Sequence, residues 1–328
     1  MSARRVSVIV PTCDRPKSLR RALESIRKLE GADLSLEILV ADNGSCHETR
    51  TIADEFGAVY LHVERKGPSE ARNAAMAVAT GDYLAFLDDD DAWLEGHIRP
   101  HLQLFEQNPS LDLVIGQVAS CDELHERFGD PWLSDFPKTA PDLLRRMLSG
   151  YFPQVGSLLV RTSMRDAVGG FDPALTGGED LDWLLRIAAR GNVGFAQVPC
   201  VLFTHRRIGT FDELQLRRVK FDRQVFNRYA LRWLHLWRSP MEFMRAYSGT
   251  VMHYYRYFTD TALERAHRGE RVAALRAIWN AIGIFPFRAS KHLMTDTKLR
   301  QALFTALFAR AAATQMHHLP LWLFVAHC

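Results

Sequence analysis

Cysteine is scarce and dispersed: Cys13, Cys46, Cys121, Cys200 and Cys328 include no CxxC pair. An odd, scattered set argues against a disulfide framework and against a structural zinc site, and it fits a reducing compartment. Long apolar runs are also missing. The longest near the C-terminus, LPLWLFVA at 319–326, falls short of the ~20 residues that cross a bilayer. In MSARRVSVIVPTCDRP the apolar run is only Val6 to Val10, too short for a signal-peptide core. The expected location is therefore the cytoplasm, with room for peripheral contact on the cytoplasmic face of a membrane. No repeat, low-complexity tract or GxxxxGK[ST] phosphate loop is present.

What is there is a globular composition. With 47% hydrophobic and 24% charged residues over 328 positions, the chain is too apolar for disorder and has length for two domains. Its net charge of +3 hides a division. Residues 1–205 carry 21 basic and 30 acidic side chains, net −9, whereas 206–328 carry 20 and 8, net +12. The boundary expected from this is 1–205 and 206–328, two regions with different partners.

The first 120 residues alternate short β-branched runs with helical periodicity, the pattern of parallel strands joined by helices. VSVIV at 6–10 is apolar except for Ser7, as in a strand covered on both faces. Leu19, Ala22, Leu23 and Ile26 then recur at helical spacing. Strands follow at 36–42, 59–63 and 83–87, and helices at 48–56, 71–79 and 97–107, with an apolar segment at 111–118. Residues 121–150, broken by Pro131, Pro137 and Pro141, read as an irregular insertion, and VPCVLFTH at 198–205 as an edge strand. GGEDLDWLLRIAARG at 177–191 reads as a helix with acids in its first turn. Beyond residue 205 the sequence is helical in character.

Ligands of open parallel sheets sit beyond the carboxyl ends of the strands. PTCDR, ADNGS and LDDDD should therefore meet at one edge. The four aspartates Asp88 to Asp91 repel one another, and a divalent cation would relieve that repulsion. Carboxylates without nearby His or Cys suit Mg2+ or Mn2+; the alternative is a solvated acidic loop. Asp42 either shapes its Asn43-Gly44-Ser45 turn or accepts hydrogen bonds from a base or ribose. Arg72 opens a helix and suits a diphosphate, or is an ordinary exposed arginine. Acids at 179 and 180 suit a helix N-terminus for electrostatic reasons alone.

Four ordered motifs resemble the inverting nucleotide-sugar glycosyltransferases of family 2, which have the GT-A fold. They are VSVIVPTCDRP, ILVADNGS, GPSEARNAAMAVATGDYLAFLDDDDAW and GGFDPALTGGEDLDWLLRIAARG, and together they cover residues 4–205. The resemblance implies an α/β fold with a mostly parallel central sheet flanked by helices, followed here by a C-terminal helical extension. It implies that Pro11, Thr12, Asp14 and Arg15 line a base pocket, that Asp42 holds the base or ribose, and that Arg72 lies near the nucleotide. The family's Asp-x-Asp-Asp-x-Trp aligns on Asp88 to Trp93, which gives Asp88 and Asp90 to ribose and metal, with Asp89 and Asp91 left open. Of Glu179 and Asp180, the aspartate is implied to be the general base. His205 is the implied histidine ligand, although the local spacing is off by one. The cofactor implied is Mn2+ or Mg2+.

Trp93 and Trp183 flank the acidic motifs, where they would either stack on sugars or fill the core. The C-terminal 123 residues hold 19 of the 34 aromatics. RYALRWLHLW at 228–237 and HYYRYF at 253–258 interleave rings with arginines. Such helices either pack on the catalytic domain or meet an anionic membrane, where a lipid-linked acceptor would be found. No recognised module supports nucleic acid as a partner. The expected activity is transfer from a nucleotide-sugar, by default a UDP-sugar, to a saccharide or lipid-linked hydroxyl in cell-surface polysaccharide or glycoconjugate synthesis. Competing readings are a phosphatase or phosphotransferase of the haloacid dehalogenase type and a non-catalytic membrane-surface scaffold. The first expects its Asp-x-Asp near the first strand, and the second makes the assembled acids accidental.

Overall fold

The computed structural model describes residues 4–122, 125–204, 212–285 and 289–308. Two compact units are present. One comprises the described residues up to 144 and from 152 to 204, and the other 145–151 and the described residues from 212 onward.

The first unit is a layered α/β structure. Strand β1 (Arg4–Thr12) pairs in parallel with β2 (Leu34–Asp42) and β4 (Tyr83–Phe86), and β2 pairs in parallel with β3 (Val59–His62). Helices α1 (Pro16–Arg27), α2 (Glu48–Glu55) and α3 (Pro68–Val78) make the crossovers. Pro16 and Pro68 sit in first turns, where a missing N–H costs nothing. The apolar stripe of α1, Leu19, Ala22, Leu23 and Ile26, is fully buried against Val6, Val8 and Val10. Each such side chain contributes roughly 1.5–3 kcal/mol, so Leu23→Ala would open a costly cavity.

The sheet then becomes mixed. After β5 (Ala92–Trp93), α4 (Arg99–Gln107), β6 (Leu113–Cys121) and β7 (Arg127–Phe128) come α5 (Ala140–Leu148), β8 (Leu158–Arg161), α6 (Ser163–Val168), α7 (Glu179–Ala188) and β9 (Val193–Thr204). The strand order is β3-β2-β1-β4-β8-β6-β9-β5, with β7 on β6. Strand β8 is antiparallel to both neighbours, while β6 and β9 run parallel.

Two expectations change. The insertion is not wholly irregular, because Ala140–Leu148 is helical and Pro141 occupies its first turn. The strand ending at Thr204 is not an edge: β9 starts at Val193 and lies between β6 and the short β5. Val201 and Leu202 pair with Trp93 and Ala92, which caps the sheet with a two-residue strand.

The second unit is helical, with α8 (Asp212–Ala230), α9 (Pro240–Gly249), α10 (Met252–His267), α11 (Arg271–Ile284), α12 (Ala289–Thr295) and α13 (Thr297–Phe308). Tyr254, Tyr255, Phe258 and Ala262 of α10 pack on Ala277, Ile278 and Ala281 of α11 and on Leu299 and Ala302 of α13. The aromatic segments at 228–237 and 253–258 thus spend several rings on core packing, with Tyr229, Tyr254, Tyr255 and Phe258 buried. Among the described residues, no helix is long and apolar enough to cross a membrane.

Candidate active site

Because β1, β2 and β4 are parallel, their carboxyl ends share one edge. Thr12 stands opposite Asp42 in the β1–β2 register. The Leu87 N–H donates to the Ile9 carbonyl at 3.0 Å, which carries the chain from β4 straight into Asp88–Asp91.

The four aspartates alternate. Asp89 and Asp91 are 0% and 2% exposed, whereas the Asp88 and Asp90 side chains keep 31% and 24%. Inward-facing Asp89 accepts from Thr12 Oγ1 at 2.6 Å. Arg15 Nη2 lies 2.8 Å from its other oxygen as an ion pair. Asp91 accepts from Gln154 Nε2 at 2.8 Å and from the Thr204 N–H at 2.9 Å. Burial, together with repulsion from Asp90 and Asp88, pushes Asp89 up to about 7 against the opposing pull of Arg15 and Thr12. Asp91 is raised well above the ordinary carboxylate range, by burial first and then by its neighbours' charges.

Outward-facing Asp88 and Asp90 are met by arginines. Arg15 Nη1 lies 3.1 Å from Asp90 Oδ2, and Arg21 Nη2 donates to the Asp90 carbonyl at 3.0 Å. Relief of the aspartate charge therefore does not fall to a cation alone, because side chains of this chain supply part of it.

Arg72 ties the edge together. It is 4% exposed rather than a surface residue. Its Nη2 donates to Asp88 Oδ1 at 2.8 Å and its Nη1 to Glu179 Oε1 at 3.0 Å. Burial alone would depress its pKa, but Asp88, Glu179 and Asp180 outweigh that and hold the guanidinium firmly charged. One residue at the start of α3 thus joins the aspartate loop to the first turn of α7. Asp180 is half-buried there, and its Oδ1 accepts the Leu181 N–H at 2.9 Å. Beneath lies an aromatic floor: Arg72 stacks over Phe171 at 5.3 Å, and Phe171 stacks on Trp183 at 4.6 Å.

That floor corrects one expectation. Trp183 is 0% and Trp93 4% exposed. Their indole N–H groups are spent on the carbonyls of Gly169 and Gly156. Both are core residues that present no ring face to an incoming sugar.

The other loops are cross-stitched. Asp14, at φ +53°, accepts the N–H groups of Ser45 and Cys46 at 2.7 and 2.8 Å. Those bonds, the Ser45 N–H foremost, hold its carboxyl below the usual range. Gly44 makes the crossing possible, since a Cβ there would fall 2.5 Å from Asp14 Oδ1 and 2.6 Å from its backbone nitrogen. Asp42, 1% exposed, accepts the Gly44 N–H at 2.7 Å and the Tyr60 hydroxyl at 3.0 Å. It therefore shapes its own turn. Pro11 and Thr12 are buried at the end of β1. His205 lies outside the described residues.

The donor set fits a hard divalent cation: Asp88 and Asp90 are partly exposed carboxylates on one loop, with all-oxygen chemistry. Sequence reasoning missed Arg21, Tyr60, Gln154 and Thr204. The last two lie more than sixty positions from the aspartate they hold, and no local pattern announces such a contact.

Residues 7–166 match the family model "Glycosyl transferase family 2". A pre-mycofactocin glycosyltransferase of Mycobacterium tuberculosis is 29% identical over 221 residues, covering 62% of this chain and 44% of the relative. A GalNAc(5)-diNAcBac-PP-undecaprenol beta-1,3-glucosyltransferase of Campylobacter jejuni is 34% identical over 158 residues, covering 45% of this chain and 50% of the relative. The chain thus spans about half the length of these curated relatives. Among solved structures, residues 1–349 of S. aureus TarS with UDP-GlcNAc align at a TM-score of 0.55 and 17% identity, over 92% of this chain and 88% of that one. A mannosyltransferase of Pyrobaculum calidifontis with GDP-Man and Mn2+ aligns at 0.50 and 20% identity, over 93% and 86%. These likenesses show the fold. Residues 7–166, 160 of the 328 positions, carry the match to glycosyltransferase family 2.

Proposed function

We propose that this chain moves a sugar from a nucleoside diphosphate donor to an acceptor hydroxyl with inversion, in polysaccharide or glycoconjugate synthesis. The observation that carries this reading is Arg72, which brings Asp88 and the Glu179–Asp180 turn to one edge of the sheet. Asp180 takes the proton of the acceptor hydroxyl as its oxygen bonds to the anomeric carbon. The bond from that carbon to the diphosphate oxygen breaks, and its electron pair leaves with the nucleoside diphosphate. A single displacement inverts the centre. Arg72 bridges Glu179 and Asp88 as a fixed cation, and Arg15, 40% exposed, offers positive charge beside Asp90. A divalent ion on Asp88 and Asp90, Mn2+ or Mg2+, would when bound neutralise charge on the departing diphosphate.

A UDP-sugar is the default donor, in line with the UDP-GlcNAc bound to TarS. A lipid-linked saccharide is a reasonable acceptor, given the polyprenol named for the Campylobacter relative. The helical unit suits an anionic membrane carrying such an acceptor. Its exposed apolar groups include Val272 and Trp279 on α11 and Phe304 and Phe308 on α13, two helices that pack together, within a region of net charge +12.

The test is nucleotide release from a panel of UDP-, GDP- and dTDP-sugars with Mn2+. One donor should be turned over, with loss on chelation and a roughly 10²–10⁴-fold fall in Asp180→Asn. Unchanged turnover in Asp180→Asn would overturn the base assignment, and indifference to chelators the metal.

A further inference from the structure

We propose that His97, His101 and Cys200 bind a metal ion of the zinc class at a site separate from the carboxylate edge. It stands independently of the transferase reading. His97 and His101 are four residues apart at the entry to α4, and Cys200 lies on β9. One candidate ligand atom of each, a ring nitrogen or the sulfur, lies within 4.8 Å of the others. The three residues are 1%, 0% and 0% exposed. The cysteine spacing in the sequence argued against a zinc site because it considered cysteines alone; the fold supplies the other two ligands from about a hundred residues away.

The hydrogen bonds of the rings point to an ion. His97 Nε2 lies 3.0 Å from the Gly156 carbonyl and His101 Nε2 3.1 Å from the Ser157 carbonyl. A carbonyl only accepts, so both Nε2 atoms carry the proton and both Nδ1 atoms carry a lone pair. Neither Nδ1 has a hydrogen-bond partner. Leaving such an acceptor buried costs about 1–3 kcal/mol each. A ring that donates one N–H to a backbone carbonyl and offers its other nitrogen bare is the usual arrangement of a metal-bound histidine. Gly116 of β6 packs directly against the pair, since a Cβ there would fall 2.2 Å from Cys200 Sγ and 2.8 Å from His101 Nε2.

Two imidazoles and a thiol select a borderline ion such as Zn2+ over Mg2+, Ca2+ or Mn2+. On binding, the Cys200 thiol gives its proton to solvent and ligates as thiolate. The ion would pin α4 to β9 beside the Gln154–Ser157 turn. That turn carries Gln154, which holds Asp91, so this site would brace the aspartate loop from behind.

The test is elemental analysis of the purified full chain after dialysis, with Co2+ substitution as a second readout. We expect about one zinc per chain in the wild type and in Asp90→Asn, and a large loss in Cys200→Ser and His97→Gln. The cobalt form should show a thiolate charge-transfer band that is absent from Cys200→Ser. If the variants fail to fold, Zn2+ added to chelator-treated wild type should raise Tm by at least about 4 °C. A wild type that holds no zinc and does not respond to it, or zinc content unchanged in both variants, overturns the site and leaves the histidines as fasteners of the turn.

Discussion

The two units handle charge and apolar surface in opposite ways. At the sheet edge, carboxylates are drawn inward and tied to arginines, hydroxyls and backbone N–H groups, as Asp89, Asp91 and Glu179 show. In the helical unit it is apolar groups that are left outside. Among the described residues, twelve of the fifteen exposed large hydrophobic side chains belong to it. A buried, cross-tied charge network can hold a small polyanion in one orientation, because its dipoles are already fixed. A basic surface with protruding Trp and Phe has no such precision, and it suits a broad, fluid partner. The contrast teaches that fixed charge and loose apolar contact are kept on separate parts of the chain.

The sharpest way to break this contrast is to remove its central cation. Arg72→Ala leaves Glu179 buried without its partner and frees Asp88 toward the other aspartates. The expected loss is about 3–5 kcal/mol of stability, with collapse of activity. Chemical denaturation and nucleotide release measure the two effects. If Arg72→Ala unfolds at the wild-type midpoint, the edge is not locked by charge. A smaller effect is expected at Gly44, where a methyl group must displace Asp14 and its backbone. Gly44→Ala should raise KM for the donor several-fold and cost about 1–3 kcal/mol. A wild-type KM would mean that the two loops do not need to cross this closely.

Much of the edge was legible in the sequence because its signals are local. Continuous apolar runs marked β1, β2 and β4, and turn formers after each one placed Asp14, Asp42 and Asp88 at strand ends. Which aspartates face outward was not legible, since Asp89 is drawn in by Thr12 and Asp91 by Gln154 and Thr204, all distant in sequence. Arg72 was legible as a nucleotide-side residue, but its ion pair with Glu179 was not, because helical position says nothing about a carboxylate 107 residues away. The tryptophans left two readings open, sugar contact and core packing. Their nearness to acidic motifs along the chain suggested sugar contact, whereas a large ring beside a charged loop here supports it from below. The arginine-rich aromatic segments left core packing and membrane contact both open, because composition does not reveal which face of α10 carries Tyr254, Tyr255 and Phe258 into the core.

The smallest expected effect on stability is the most informative about the helical unit. Trp279 is 75% exposed, so Trp279→Glu removes almost no packing and should change the unfolding free energy by less than about 0.5 kcal/mol. Turnover with a soluble acceptor should likewise hold. Binding to vesicles that contain anionic phospholipid should fall several-fold, because a carboxylate replaces an interfacial ring and opposes the surface charge. Co-sedimentation with anionic and with neutral vesicles reads this directly, and the wild type should prefer the anionic ones. If wild type and variant sediment alike, or if light scattering shows that Trp279→Glu instead splits a dimer, then the apolar face serves a protein partner. The separation of fixed charge from loose apolar contact would then be a division between substrate and subunit, with no membrane involved.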